Sequence, residues 1–141
     1  MKISTRGRYG LRALIDLAAR EGDACVSLGS IAERQGISEH YLEQLMAPLK
    51  KAGYLKSVRG AQGGYMLNKP AEEISVGDIL RILEGPLYPV ECLSDSEKAS
   101  CGSGSCSTCV TKPLWEKLYS SVNDVLESYS LSDLAKAYQE I

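Results

Sequence analysis

Apolar positions near the start of the chain recur at helical spacing. Leu11, Leu14, Ile15, Leu17 and Ala18 share one face of a helix that starts at Ser4 or Thr5 and runs to Arg20, with Gly22 as its stop. Ser27 is placed to cap a short second helix, with Leu28, Ile31 and Ala32 on its apolar side and Gly36 at its end. Ser38 caps a third, and Glu39 lies in its first turn near the positive end of the helix dipole. Leu42, Leu45, Met46 and Leu49 continue that helix's stripe. Pro48 lacks an N–H and its ring crowds the preceding turn. The pattern therefore predicts a break near Ala47, with Pro48 opening a short turn that finishes at Gly53.

The period then changes. Residues 54–58 and 65–68 read as two short strands, joined by the glycine-rich tip Arg59-Gly60-Ala61-Gln62-Gly63-Gly64. Ser75-Val76-Gly77-Asp78 resembles a capping box and starts a fourth helix through Leu83 to Gly85. Residues 86–112 hold two prolines, four cysteines and a Ser/Gly stretch, with too little apolar surface to fold unaided. Pro113 opens a long helix with Leu114, Leu118, Val122, Val125 and Leu126 at helical spacing. Ser130 and Asp133 suit a last short helix, and no internal repeat is present. The predicted fold is mostly α with a small β-wing. It comprises a winged helix-turn-helix domain over residues 1–85, a cysteine-rich loop over 86–112, and a dimerisation helix plus C-terminal helix over 113–141. The order of elements, with Gly36-Ile37-Ser38 as the turn, is more specific than any one of them.

Composition adds limits. The chain has 141 residues, 44% hydrophobic and 24% charged, which is globular and excludes a wholly disordered protein. No apolar run is long enough for a membrane-spanning helix, and MKISTRGRYGL lacks the apolar core of a secretory signal, so a cytoplasmic location is expected. The net charge of −2 argues against nucleic-acid binding until its distribution is seen. Residues 1–70 hold eleven basic against six acidic side chains, and residues 71–141 hold five against twelve. A basic first half with an acidic second half suits a DNA-binding module joined to a regulatory or oligomerising part. With a single histidine and no phosphate-binding glycine motif, no catalytic constellation emerges and an enzyme is not expected.

The third helix of such a domain enters the major groove. Ser38, Glu39, His40, Glu43 and Gln44 fall on its outward face, because Leu42 and Leu45 face inward. Gln44 carries the bidentate amide that matches adenine, and Glu43 can accept from a cytosine amine; otherwise these are ordinary solvated helix residues. Arg59 suits a narrow minor groove, with Gly60 and Gln62 in the same tip and the glycines allowing close approach. Tyr65 reads as a packing or phosphate-touching residue, while Arg6 and Arg8 can reach phosphates. The long C-terminal helix packs either on its own domain or on a second copy, the latter giving a homodimer for palindromic double-stranded DNA.

Cys92, Cys101, Cys106 and Cys109 fall within eighteen residues, the last two as a C-x-x-C pair. Such spacing suits an iron–sulfur cluster, tetrahedral zinc or a thiol–disulfide switch, and does not choose among them. Cys25, beside Val26 in the first connection, reads as a buried apolar residue.

The stretches 1–9, 33–38, 41–45 and 58–65, with Glu84-Gly85-Pro86 and Leu114-Trp115, resemble the IscR/NsrR/CymR group of small bacterial winged-helix regulators. Residues 1–91 look most like the CymR branch, repressors of cysteine metabolism, whereas the cysteine loop looks like the iron–sulfur-binding IscR and NsrR branch. The resemblance implies a homodimeric regulator, expected to be a repressor, that senses iron–sulfur status through a 2Fe-2S cluster. It also implies a site-discriminating role for Glu43. The histidine ligand of the IscR pattern falls on Lys112, whose ammonium has no lone pair. All four of Cys92, Cys101, Cys106 and Cys109 then bind, or three bind and one stands by, and in some relatives the partner's DNA-binding domain completes the set. His40, on the reading helix, is poorly placed to ligate. Two alternatives stay open. One is a CymR-like repressor of cysteine and sulfur genes, with a zinc-binding or metal-free loop and a protein co-repressor. The other is a small iron–sulfur redox carrier without DNA function.

Overall fold

Ser27, Ser38, Ser75 and Ser130 each accept a hydrogen bond from a backbone N–H in the first turn of a helix, at 3.0–3.2 Å. These caps fix the starts of α2 (Leu28–Gln35), α3 (Glu39–Lys51), α4 (Val76–Glu84) and α6 (Leu131–Gln139). In α4 and α6 the box is complete, since Asp78 and Asp133 accept in return from the N–H of Ser75 and Ser130. The computed structural model that shows this describes residues 1–20, 22, 25–94 and 109–141. Cys101, Cys106 and the Ser/Gly stretch at 100–105 lie outside the described residues.

The first helix, α1 (Thr5–Ala19), is capped from a distance. Ser4 makes no side-chain cap of its own. Instead Glu84, at the end of α4, accepts from the N–H groups of Ser4 and Gly7, both at 2.9 Å, and from the Ser4 hydroxyl. A side chain at Gly7 would overlap that carboxylate, so the glycine holds the gap open. Glu84→Ala should therefore cost about 1–2 kcal/mol, the usual worth of a cap carrying a charge at a helix start, visible as a lower thermal midpoint.

The expected break at Pro48 is corrected: α3 is continuous from Glu39 to Lys51. Proline removes one hydrogen bond, but Leu42, Leu45, Met46 and Leu49 are fully buried and their packing holds the turn on either side. The two strands, β1 (Leu55–Val58) and β2 (Gly64–Leu67), pair antiparallel with Leu55 opposite Leu67 and Val58 opposite Gly64. They lie within a residue of their predicted bounds. The long helix α5 (Lys112–Ser128) has its proline in the first turn.

The main core joins α1, α2, α3, α4 and α6 through Leu14, Leu17, Ile31, Leu42, Met46, Ile74, Ile79 and Leu131. A smaller cluster of Val76, Leu80 and Leu87 takes Leu126 of α5 against it. No residue of α5 is fully buried, and Leu114, Leu118 and Val125 stay exposed at 58%, 40% and 58%. The architecture is the expected one, mostly helical with a small β-wing. No helix among the described residues is long and apolar enough to cross a membrane.

Candidate nucleic-acid interface

The angle between the first two helices is set by a buried acid. Asp16 on α1 is inaccessible to solvent and meets three donors. Arg34 of α2 reaches Oδ1 through Nη2 at 2.7 Å and Oδ2 through Nε at 3.0 Å, and Gln35 donates to Oδ2 at 2.8 Å. Arg20 adds a bond at 3.2 Å. Burial pushes the carboxyl pKa up. The hydrogen bonds of Arg34 and Gln35 and the charges of Arg34 and Arg20 outweigh it and hold the group below its ordinary value. Gly36, at φ 67°, then reverses the chain into α3.

With its apolar face sealed, α3 turns Glu39, His40, Glu43 and Gln44 to solvent, and Ser38 is its exposed N-cap. The Gln44 amide lies 3.2 Å from His40 Nε2, so the imidazole aligns the group expected to read a base. Tyr41, half-buried beside them, meets Tyr9 of α1 edge-on at 6.3 Å, and Arg12 covers the Tyr9 ring at 5.3 Å.

The wing is held at three places. Lys50, at the end of α3, donates to the Ser57 hydroxyl at 2.6 Å. Val26 and Tyr65 exchange both backbone hydrogen bonds, at 2.9 and 2.8 Å. A side chain at Gly64 would collide with the Val26 carbonyl, which explains that glycine. Cys25 Sγ donates to the Gln62 carbonyl at 3.0 Å. Cys25 is thus half-buried with a polar partner, not sealed in apolar surroundings as expected, because the wing tip folds over it. Arg59, Gly60 and the Gln62 side chain stay exposed at the tip, with Gly60 at φ 113°. Burial raises the Tyr65 phenol pKa and the charge of Glu43 adds to the effect, so the reading helix and the wing feel each other electrostatically. Arg6 and Arg8 are exposed in the first turns of α1, and Arg8 shares an open recess with Lys2, Ile3, Ser4 and Thr5. The expected DNA-contacting residues therefore fall into three exposed groups, on α3, on the wing tip and at the start of α1.

Of the expected ligands, Cys92 is half-buried in a single helical turn at Glu91–Leu93. Cys109 is half-buried just ahead of α5, its Sγ 3.2 Å from the Thr111 hydroxyl. Among the described residues no group of three or more His, Cys, Asp and Glu is placed to hold a metal ion. Lys112 Nζ lies 3.8 Å from the Glu116 carboxylate, as an ammonium that cannot ligate.

Asp16 and Arg81 were not singled out from the sequence, and Glu84 entered only within the stretch Glu84-Gly85-Pro86, not as the cap of α1. An acid among the apolar positions of α1 is the signal that marks Asp16, and a pair of glycines three apart, Gly7 and Gly10, marks the close approach of α4.

Residues 3–137 match the Rrf2 family, described as an iron-dependent transcriptional regulator. The HTH-type transcriptional regulator CymR of Bacillus subtilis (strain 168) is 49% identical over 135 residues, which cover 96% of this chain and 90% of that protein. A solved structure of CymR, the global cysteine regulator of B. subtilis, superposes with a TM-score of 0.80 at 47% identity, covering 97% of this chain and 98% of that one. A structure of T. potens IscR superposes at 0.78 with 48% identity, covering 99% of this chain and 90% of that one. These relatives are named as transcriptional regulators, not as enzymes.

Proposed function

The chain belongs to the Rrf2 family of transcriptional regulators, and we propose that it is a homodimeric, DNA-binding repressor that reads iron–sulfur status through Cys92, Cys101, Cys106 and Cys109. The observation that carries the reading is the placement of four thiols within eighteen residues between α4 and α5. Thiolates are the donors that iron–sulfur clusters take, and a 2Fe-2S cluster needs four ligands. The described donors agree with this chemistry: Cys92 and Cys109 stand at the two ends of the segment, and Lys112 leaves a fourth cysteine as the natural replacement for a histidine. Ligation by all four would tie the exit of α4 to the entrance of α5.

On the DNA side, α3 presents Gln44 and Glu43 to base edges of the major groove, Ser38 and His40 support them, and Arg59, with Gly60 and Gln62, enters the minor groove. Arg6 and Arg8 hold phosphates. The exposed stripe of α5, with Leu114, Leu118 and Val125, covers the same stripe of a second copy, so that two reading helices meet a palindrome. Cytoplasmic action follows from this reading.

A second reading is favoured by the 49% identity to CymR. It is a repressor of cysteine and sulfur genes with zinc or no metal in the loop, governed by a protein co-repressor. Oxygen-free purification with iron, acid-labile sulfide and zinc analysis separates the two. Matched iron and sulfide support the cluster, whereas stoichiometric zinc without sulfide, or neither after attempted reconstitution, supports the CymR-like repressor. Gel-shift titration on the protein's own promoter, at stated salt, tests DNA binding itself and excludes a bare redox carrier. In that assay Arg59→Ala should weaken binding on all sequences and lower the slope of log affinity against log salt by about one per wing engaged.

A further inference from the structure

We infer that Arg81, through Glu127 and Asn123, fixes the angle at which α5 leaves the DNA-reading domain and so selects the half-site spacing of the operator. The inference rests on the dimeric DNA-binding reading above.

α5 is hinged at its C-terminal end. Ser75 and Ser130 form an antiparallel bridge, with the Val76 N–H donating to the Tyr129 carbonyl at 3.0 Å and the Leu131 N–H to the Ile74 carbonyl at 2.8 Å. A bridge of two bonds sets position, and the contacts of Leu126 with its apolar cluster and of the Tyr119 ring with Tyr88, at 5.0 Å, hold the helix against its domain without fixing a direction, so it can still swing about the bridge. One turn into α5 the swing is stopped. Arg81 of α4 donates through Nη2 to the Glu127 carboxylate, and to Asn123 Oδ1 at 3.3 Å. Asn123 turns its oxygen that way because its Nδ2 donates to the Tyr119 carbonyl at 3.0 Å. The other arm of the guanidinium lies 3.6 Å from Asp78, itself held in the cap of α4. The fork is therefore fixed to both helices, and Gly77 supplies the space, since a side chain there would overlap Glu127.

Leverage makes this contact consequential. α5 has 17 residues and is therefore about 25 Å long. Its exposed Leu114 and Leu118 lie toward the far end from the hinge. A rotation of only about 8° moves that end by about 3.4 Å, the rise of one base pair. An angular error of this size at the dimer contact changes which spacing two reading helices fit. Arg81 and Glu127 act here as positioning residues, without touching DNA.

The test uses the full-length protein and palindromes whose half-site separation changes one base pair at a time. Wild type should prefer one separation. Glu127→Ala should reduce that preference over its neighbours about three- to fivefold, the scale of a partly exposed ion pair. Glu127→Gln, which keeps the accepting oxygen, should recover part of it. Arg81→Ala combined with Glu127→Ala should be no worse than either alone. Affinity for an isolated half-site and dimerisation should not change. An unchanged spacing profile, or a loss that is uniform across all spacings, would overturn the inference. A wild type that binds no palindrome would instead fail the regulator reading. The clamp is then decided by the distance distribution between spin labels on noncanonical residues replacing Lys56 in two protomers, which Glu127→Ala must broaden if the clamp exists and leaves unchanged if it does not.

Discussion

Asp16→Ala is expected to lower the folding stability by about 3 kcal/mol, seen as a fall in the urea midpoint without a change in slope. The size follows from what is left behind. The carboxylate is fully buried and satisfies Gln35, itself only 7% exposed, together with two guanidiniums. Its removal strands the Gln35 amide and leaves Arg20 and Arg34 facing each other. Their side chains are 45% and 28% exposed, so they can turn to water, which keeps the cost near the low end for a broken buried pair. Asp16→Asn keeps the volume and loses the charge, and should cost about 2 kcal/mol. Both substitutions act where α1 meets α2, so the helix-turn-helix loosens before the wing does.

The same site makes a signed prediction with pH. Burial raises the carboxyl pKa, but the bonds of Arg34 and Gln35 and the charges of Arg34 and Arg20 leave it depressed in the folded protein. A depressed acid contributes stability that is fully present above its unfolded pKa and is lost as pH falls through the folded value. The stability difference between wild type and Asp16→Asn should therefore be flat from neutrality to about pH 5 and shrink below about pH 4. A difference that grows on acidification would refute the assignment of the charge to Asp16.

The contrast between Ser38 and Ser4 shows what the sequence made legible. Both precede a helix, and Ser38 caps its own through a local bond to Tyr41, whereas Ser4 depends on Glu84, 80 residues away. Local capping can be read from neighbouring letters, and so the starts of α2, α3, α4 and α6 were all visible. Contacts made by folding are not written in adjacent residues. Pro48 is the same lesson reversed: its local rule predicts a break, and the burial of Leu45, Met46 and Leu49 overrides it. On the interface side, period alone placed Glu43 and Gln44 outward, because an apolar stripe fixes the opposite face. The effect of the Glu43 charge on the Tyr65 phenol and the contacts of Arg81 with Glu127 and Asn123 needed the tertiary arrangement.

Serine at any one of Cys92, Cys101, Cys106 or Cys109 is expected to abolish stable cluster retention, whereas Cys25→Ser is expected to leave it intact. Cys25 is bonded to the Gln62 carbonyl beneath the wing, on the segment that pairs with β2. Cys92 and Cys109 flank the segment between α4 and α5, and the residue at 112, where the IscR pattern has its histidine, is a lysine ion-paired to Glu116, so a fourth ligand from within the chain is the remaining cysteine. A serine hydroxyl is a poor replacement for a thiolate on iron, because it stays protonated at neutral pH where a metal-bound thiol does not. Iron and acid-labile sulfide, measured after identical anaerobic reconstitution of the five variants, give the answer as near-complete loss against retention. A variant among the four that keeps full iron identifies the cysteine that stands by and assigns the remaining bond elsewhere. Loss in Cys25→Ser with retention in the other four would overturn the ligand set. The DNA arm follows from the tie between α4 and α5: variants without the cluster should keep the dimer and lose part of their selectivity between operators, because Gln44 on the reading helix and Arg59 on the wing are unchanged, while the Arg81 contact alone then holds the separation of the two reading helices.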